Sequence, residues 1–289
     1  MALGRLTRGE QRFWVGTNEV IGVQSANISY VVNEFPTRYI GMKNYDGDRH
    51  PQGPWSASAS VSMFQMTSGE DPFISGNFTG AAGFNGFITN GQNADKGERN
   101  FSFRSGYLTS YGVSFEMGQL PAINAGITIY GDAGRLDPEA YGINDFKQYI
   151  KKPDFKIADP GALDMTLAGA QIDKNRVTSC QFSINCPRKP IYSIGNKMPH
   201  TVIQGGPVEM TCDFTIELDE YQAKKASSFP CKNEKNDLTF TVKEKHSDVV
   251  LRTYTLRNMF LKSENYTASV EGSTIMQAQY KGYMAVFNN

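Results

Sequence analysis

The chain carries one stretch twice. With a shift of 154, positions 23–43 fall on 177–197, and seven of the 21 paired positions are identical: Val23/Val177, Ser25/Ser179, Ser29/Ser183, Pro36/Pro190, Ile40/Ile194, Gly41/Gly195 and Lys43/Lys197. The apolar alternation coincides as well, with Ala26, Ile28, Tyr30 and Val32 on Cys180, Phe182, Ile184 and Cys186. One residue of slack later, Gly53-Pro54 meets Gly206-Pro207. A repeat of this length means that whatever the first copy folds into, the second folds into as well. The period is two, so the repeated unit is built from strands.

The strand after each Gly-Pro is the most regular part of its copy. Ala57, Ala59, Val61 and Met63 alternate with Ser56, Ser58, Ser60 and Ser62; Val208, Met210, Cys212, Phe214, Ile216 and Leu218 alternate with Glu209, Thr211, Asp213, Thr215 and Glu217. Such a strand puts an apolar face on a core and a hydroxyl-bearing or acidic face toward water or a neighbour. Asp219, with Gln222 three residues on, reads as the cap of a short helix over 219–227, and 146–152 reads as a second one. Between 68 and 97 glycine is interleaved with Phe73, Phe78, Phe84 and Phe87, which reads as a long loop or hairpin that orders against a partner.

Further strands are expected at 100–104, 108–116, 123–130, 238–243, 251–261 and 267–279. Leu238 to Lys243 pairs with Phe101 to Arg104 in this reading, and Ser269-Val-Glu-Gly with Ser114-Phe-Glu-Met. On that pairing the first copy is longer, with 49 positions from Pro54 to Phe103 against 33 from Pro207 to Phe240. Each copy then holds about six or seven strands and at most one short helix, as in a β-sandwich or barrel. The chain is mainly β.

Little points to chemistry. The 29 basic and 29 acidic residues cancel, so no global charge draws the chain to nucleic acid or an anionic membrane. No apolar window is long enough to span a bilayer, and positions 1–13 lack the apolar run of a signal peptide. The four Asn-x-Ser/Thr sequons are accordingly read as chance. The cysteines, Cys180, Cys186, Cys212 and Cys231, fit no zinc spacing and read as small buried hydrophobes. No HExxH, Gly-x-Ser-x-Gly, Cys-x-x-Cys or dinucleotide-binding glycine motif is present. Asp71, Glu116 and Glu271 are the carboxylates one would nominate for acid–base work, and each reads as a solvated charge. No enzyme, cofactor or metal is expected.

Two pieces of sequence carry a family resemblance. The first is Val177-x-Ser179-x-x-Phe182-Ser183, then Pro190, Ile194-Gly195 and a long strand led by Gly205-Gly206-Pro207. The second is the closing Ser269-Val-Glu-Gly with apolar alternation after it. In this order, with a short helix after the long strand, they resemble the tail tube proteins of tailed bacteriophages, whose fold is shared by type VI secretion tube and baseplate hub proteins. The resemblance covers both repeats, about 240 residues.

It implies two tandem tail-tube-like β modules, 1–130 and 161–289, joined by a linker or insertion at 131–160. It further implies a structural virion protein, made in the host cytoplasm, that forms rings as a trimer with pseudo-hexameric symmetry and stacks them into a tube. DNA would pass through without specific binding, and other tail, baseplate or sheath proteins would be neighbours. Ser58, Ser60, Ser62, Glu209, Asp213 and Glu217 are then candidates to face the channel, where acids and hydroxyls do not grip phosphate. Phe78, Phe84 and Phe87, with the N-terminal segment, are candidates for ring stacking. Within the same fold the alternative is a baseplate hub or distal tail ring. Outside it, the alternative is a tandem carbohydrate-binding β-sandwich, which needs an exposed aromatic stripe in a chain whose only tryptophans are Trp14 and Trp55.

Overall fold

A computed structural model describes residues 11–16, 18–31, 34–36, 49–51, 56–65, 71, 73, 83–90, 101–135, 156, 158–167, 170–172, 177–194, 196–218, 235–244, 247–268 and 274–284. These are almost entirely β. The first half contains β1 (Gln11–Val15), β2 (Asn18–Val20), β3 (Val23–Val31), β4 (Glu34–Pro36), β5 (Arg49–Pro51), β6 (Ser56–Phe64), β7 (Phe84–Asn90), β8 (Phe101–Glu116), β9 (Ala122–Ile129) and the short β10 (Ala133–Gly134). The second contains β11 (Ala158–Leu167), β12 (Ala170–Ile172), β13 (Val177–Asn185), β14 (Arg188–Ile191), β15 (Thr201–Gln204), β16 (Val208–Leu218), β17 (Asn236–Glu244), β18 (Val250–Thr267) and β19 (Thr274–Met284). The stretch 131–160 thus includes β10 and the start of β11.

The duplication is visible in the pairing. The first half runs β3-β6-β9-β8-β7-β1-β2, and the second runs β13-β16-β19-β18-β17-β11-β12, all antiparallel. The irregularities repeat too. A bulge lies between Leu108 and Ser110 of β8, and its counterpart between Leu261 and Ser263 of β18. Each half also inserts a two-stranded hairpin, β4–β5 or β14–β15, between its first two sheet strands.

The registers correct the sequence alignment. Tyr30↔Ala57↔Ile129 in the first half corresponds to Ile184↔Met210↔Gly282 in the second, and Tyr111↔Ala125 to Glu264↔Ala278. A single shift of 153 therefore carries β6, β8 and β9 onto β16, β18 and β19. The strand at 238–243 matches β7 and not Phe101 to Arg104; Phe103 matches Leu256. Ser114 matches Thr267 and not Ser269. From Pro54 to Phe103 and from Pro207 to Leu256 the distance is then the same, so the first copy has no extra length there. The stretch 68–97, expected as a long loop or hairpin with no strand assigned, supplies β7, which pairs antiparallel with β8 and is the counterpart of the 238–243 strand.

Phe84 and Phe87, expected in a long loop or hairpin ordered against a partner, lie on β7 and in the core, 6% and 1% exposed. Phe84 meets Phe103 edge-on at 5.8 Å, and Phe87 stacks on Trp14 at 5.9 Å. The glycines among the aromatics have a packing reason, since a Cβ on Gly86 or Gly106 would enter the Phe103 ring. Phe78 and the proposed helices at 146–152 and 219–227 lie outside the described residues.

The long strands β8 and β18 bend from one layer to the other. The first part of β8 pairs with β7, and its later part with β9 and, on the other side, β13. Alternate residues of the strands fill one apolar core, including Val61, Ile127, Val113, Phe182, Cys212 and Tyr280. Cys180, Cys186 and Cys212 are buried free thiols within it.

Candidate functional site

The join between the halves is a strand pair. β13 lies antiparallel on β8, from Ser179↔Glu116 through Phe182↔Val113 to Asn185↔Ser110. It merges two four-stranded units into one eight-stranded run, β3-β6-β9-β8-β13-β16-β19-β18. On the apolar side an aromatic cluster crosses the join. Phe115 of the first half lies 6.4 Å from Phe182, 6.2 Å from Phe240 and 6.4 Å from Tyr254 of the second.

Beside it sits a buried polar network that the sequence reading missed. Asp71 is 4% exposed and not a solvated loop charge. Its carboxylate accepts bonds from the Tyr111 hydroxyl at 2.7 Å and the Phe73 amide at 2.9 Å, and faces the Arg252 guanidinium at 3.1 Å. Burial pushes the Asp71 carboxyl above its usual value, against the opposing pull of Arg252. The Tyr254 hydroxyl donates to Gln65 at 3.3 Å, tying the halves a second time. A long-range ion pair of this kind has no sequence signature.

The other side of the eight-stranded run is mostly polar in both halves, with Val31, Ile275 and Tyr283 exposed among the polar side chains. Ser58, Ser60 and Ser62 lie on it, opposite in phase to the buried Ala57, Ala59, Val61 and Met63. Glu209, Asp213 and Glu217 lie on the same side, opposite in phase to Met210, Cys212, Phe214 and Ile216. The structure thus brings the two candidate sets onto one face. Hydroxyl pairs repeat there: Ser29 Oγ to Ser58 Oγ at 3.0 Å, and at the equivalent place Ser183 Oγ to Thr211 Oγ1 at 2.6 Å. Gln279 Nε2 donates to Asp213 at 2.7 Å, and Lys281 pairs with Glu209 at 3.4 Å.

Where the two halves meet, the face forms a recess of about 410 Å³ bordered by Ser114, Glu116, Gln181, Asp213, Asn265 and Gln279. Glu116 is exposed there, as its sequence reading held. Gln181 of β13 and Gln277 and Gln279 of β19, which border the recess, are legible as the polar phase of their strands, as are Ser183 and Lys281 elsewhere on the face, but none is marked out by sequence alone. Among the described residues no group of three His, Cys, Asp or Glu side chains is placed to hold a metal.

Two edges of the run are open among the described residues. β3 pairs only with β6, and residues 260–267 of β18 pair only with β19. These edges carry exposed large side chains, Tyr30 at 51%, Val31 at 58% and Tyr266 at 52%. A third apolar surface lies on and beside the β14–β15 hairpin, where Ile191, Tyr192, Ile194, Met198 and Ile203 are exposed, Ile194 fully. Ile194 is one of the positions that the repeat keeps identical, as Ile40.

No protein-family model matches the chain, and no curated protein matches it either.

Proposed function

We propose that this chain is a structural subunit that closes head to tail into a ring of three copies, and that the rings stack as a phage-type tail tube whose channel wall is the polar sheet face. One observation carries the reading. The chain joins its own two modules through the edge of the first unit's long strand and the edge of the second unit's leading strand, and the equivalent two edges at the ends of the run, β18 and β3, are unpaired among the described residues. A heterologous contact closes a ring when its repeated rotation completes a full turn. Three chains then supply six near-equivalent units, and ring closure removes the exposed edges that a soluble monomer must otherwise protect.

The chemistry of the polar face supports a conduit. Among the described residues its hydroxyls, amides and carboxylates outnumber its ammonium groups, which are Lys281, paired with Glu209, and, at the β18 bulge, Lys262. Such a wall has little affinity for phosphate. With Phe84 and Phe87 in the core, apolar surface for stacking is supplied by the β14–β15 hairpin. Trp14, 1% exposed beneath Phe87, is no platform for a sugar ring.

Negative-stain microscopy across a concentration series tests the reading. Hollow tubes are expected. Single rings that never lengthen indicate the hub or distal-tail role, and monomers at every concentration overturn both.

A further inference from the structure

We infer that β3 of one copy docks on residues 260–267 of β18 in a second copy with the register of the internal β13–β8 join, and that partner choice is set by exchanging large and small side chains across the two kinds of joint. This rests on the ring reading and adds to it which residues meet and why the joints do not interchange.

The register follows from the two shifts. β13 is β3 moved by 154, and β18 is β8 moved by 153. The internal pairs Gln181↔Ser114, Phe182↔Val113, Ser183↔Gly112 and Ile184↔Tyr111 therefore become Asn27↔Thr267, Ile28↔Tyr266, Ser29↔Asn265 and Tyr30↔Glu264 between copies. The polar-face pairs Asn27↔Thr267 and Ser29↔Asn265 stay polar, while the next, from Asn185↔Ser110, sets Val31 opposite Ser263. On the apolar face each pair keeps one aromatic residue, but its side is reversed. Inside the chain, Phe182 sits on the leading strand opposite Val113, and Tyr111 on the long strand opposite Ile184. Between copies, Tyr266 sits on the long strand opposite Ile28, and Tyr30 on the leading strand opposite Glu264.

Facing side chains on neighbouring strands must share one space. The wrong combinations violate this. β13 against β18 sets Phe182 opposite Tyr266 and Ile184 opposite a carboxylate; β3 against β8 sets Tyr30 opposite Tyr111. The open β18 edge is also prepared for a polar-tipped ring. Glu264 and Tyr266 touch along it, with the Tyr266 hydroxyl 3.4 Å from the Glu264 carboxylate. The buried Tyr280 hydroxyl, within the field of Glu264, has no hydrogen-bond partner among the described residues. Tyr30 of the next copy brings an aromatic body and a hydroxyl to this place.

Cysteine pairs test the register on the full chain. Asn27→Cys with Thr267→Cys should give interchain disulfides under mild oxidation, at least roughly tenfold more than the two-residue slip pair Asn27→Cys with Asn265→Cys, as opposed strand positions lie closer than diagonal ones. Gln181→Cys with Ser114→Cys is the intrachain control. Rings in which the slip pair links as well or better overturn the register while leaving the ring reading intact; monomers at every concentration overturn both.

The exchange is tested by swapping. Tyr30→Ile, at an exposed position, should raise the concentration for half-assembly by roughly tenfold or more, the usual effect of losing a central aromatic anchor. Adding Glu264→Tyr, which copies Ile184 and Tyr111, should restore it. A double variant no better than Tyr30→Ile alone overturns the exchange rule.

Discussion

Ser105 and Asn258 hold the same place in the two halves and the same uncommon backbone, at φ 52° and 56°. Each has its amide tied to a side chain on the neighbouring strand, Ser105 N–H to Asn85 Oδ1 at 3.3 Å and Asn258 N–H to Asp237 Oδ1 at 3.0 Å. Both precede the bulge at which the long strand leaves one layer for the other. The left-handed turn is thus the device that lets one strand serve two layers.

The conformation costs Ser105 more than Asn258, because Asn tolerates it better. Ser105→Gly is expected to stabilise by up to about 1 kcal/mol and Asn258→Gly to be near neutral, while Val at either place costs about 1–2 kcal/mol. Urea unfolding of the four variants checks the order.

Asp71 and Arg252 lock the halves through charge. Removing one member of a buried pair costs about 3–5 kcal/mol, whereas replacing both by apolar residues costs far less. Asp71→Ala should therefore fall in that range by chemical denaturation. Asp71→Leu with Arg252→Met should recover most of the loss.

Tyr254 predicts an alkaline limit. Burial raises its hydroxyl from 10.0 to about 12, so the unfolded chain releases this proton before the native one does. Stability from this group is complete below pH 10 and lost as pH rises toward 12, on the order of 2–3 kcal/mol in all. Tyr254→Phe should show a shallower fall of unfolding free energy over that window. An equal slope in both proteins assigns alkaline unfolding to other groups, such as Tyr111, which burial raises in the same direction.

Ile194, fully exposed beside the β14–β15 hairpin, separates stacking from ring closure. Ile194→Asp should leave thermal stability within about 0.5 kcal/mol of the parent. It should also leave rings intact and shorten or abolish tubes in micrographs. Tubes of undiminished length would move the stacking contact elsewhere.

The sequence made the duplication legible because its signals are local: alternation, the repeated Pro and Ile-Gly positions, and the Gly-Pro ahead of β6 and β16. The same alternation placed Ser58 and Asp213 on polar faces. It was blind to what depends on distant partners. β7 was hidden because Gly86 makes room for the Phe103 ring and so interrupts the pattern of side chains. Asp71 was misjudged because its charged partner, Arg252, lies in the other half. The open edges of β3 and β18 are a fact of pairing, which no single strand announces.

The mass of the smallest closed particle tests the central claim most directly. Mass photometry or native mass spectrometry of freshly dissociated assemblies should give three times the 32.0 kDa chain mass, with end-on images showing six near-equivalent units. A particle of six chains, or a single chain at all concentrations, would contradict it.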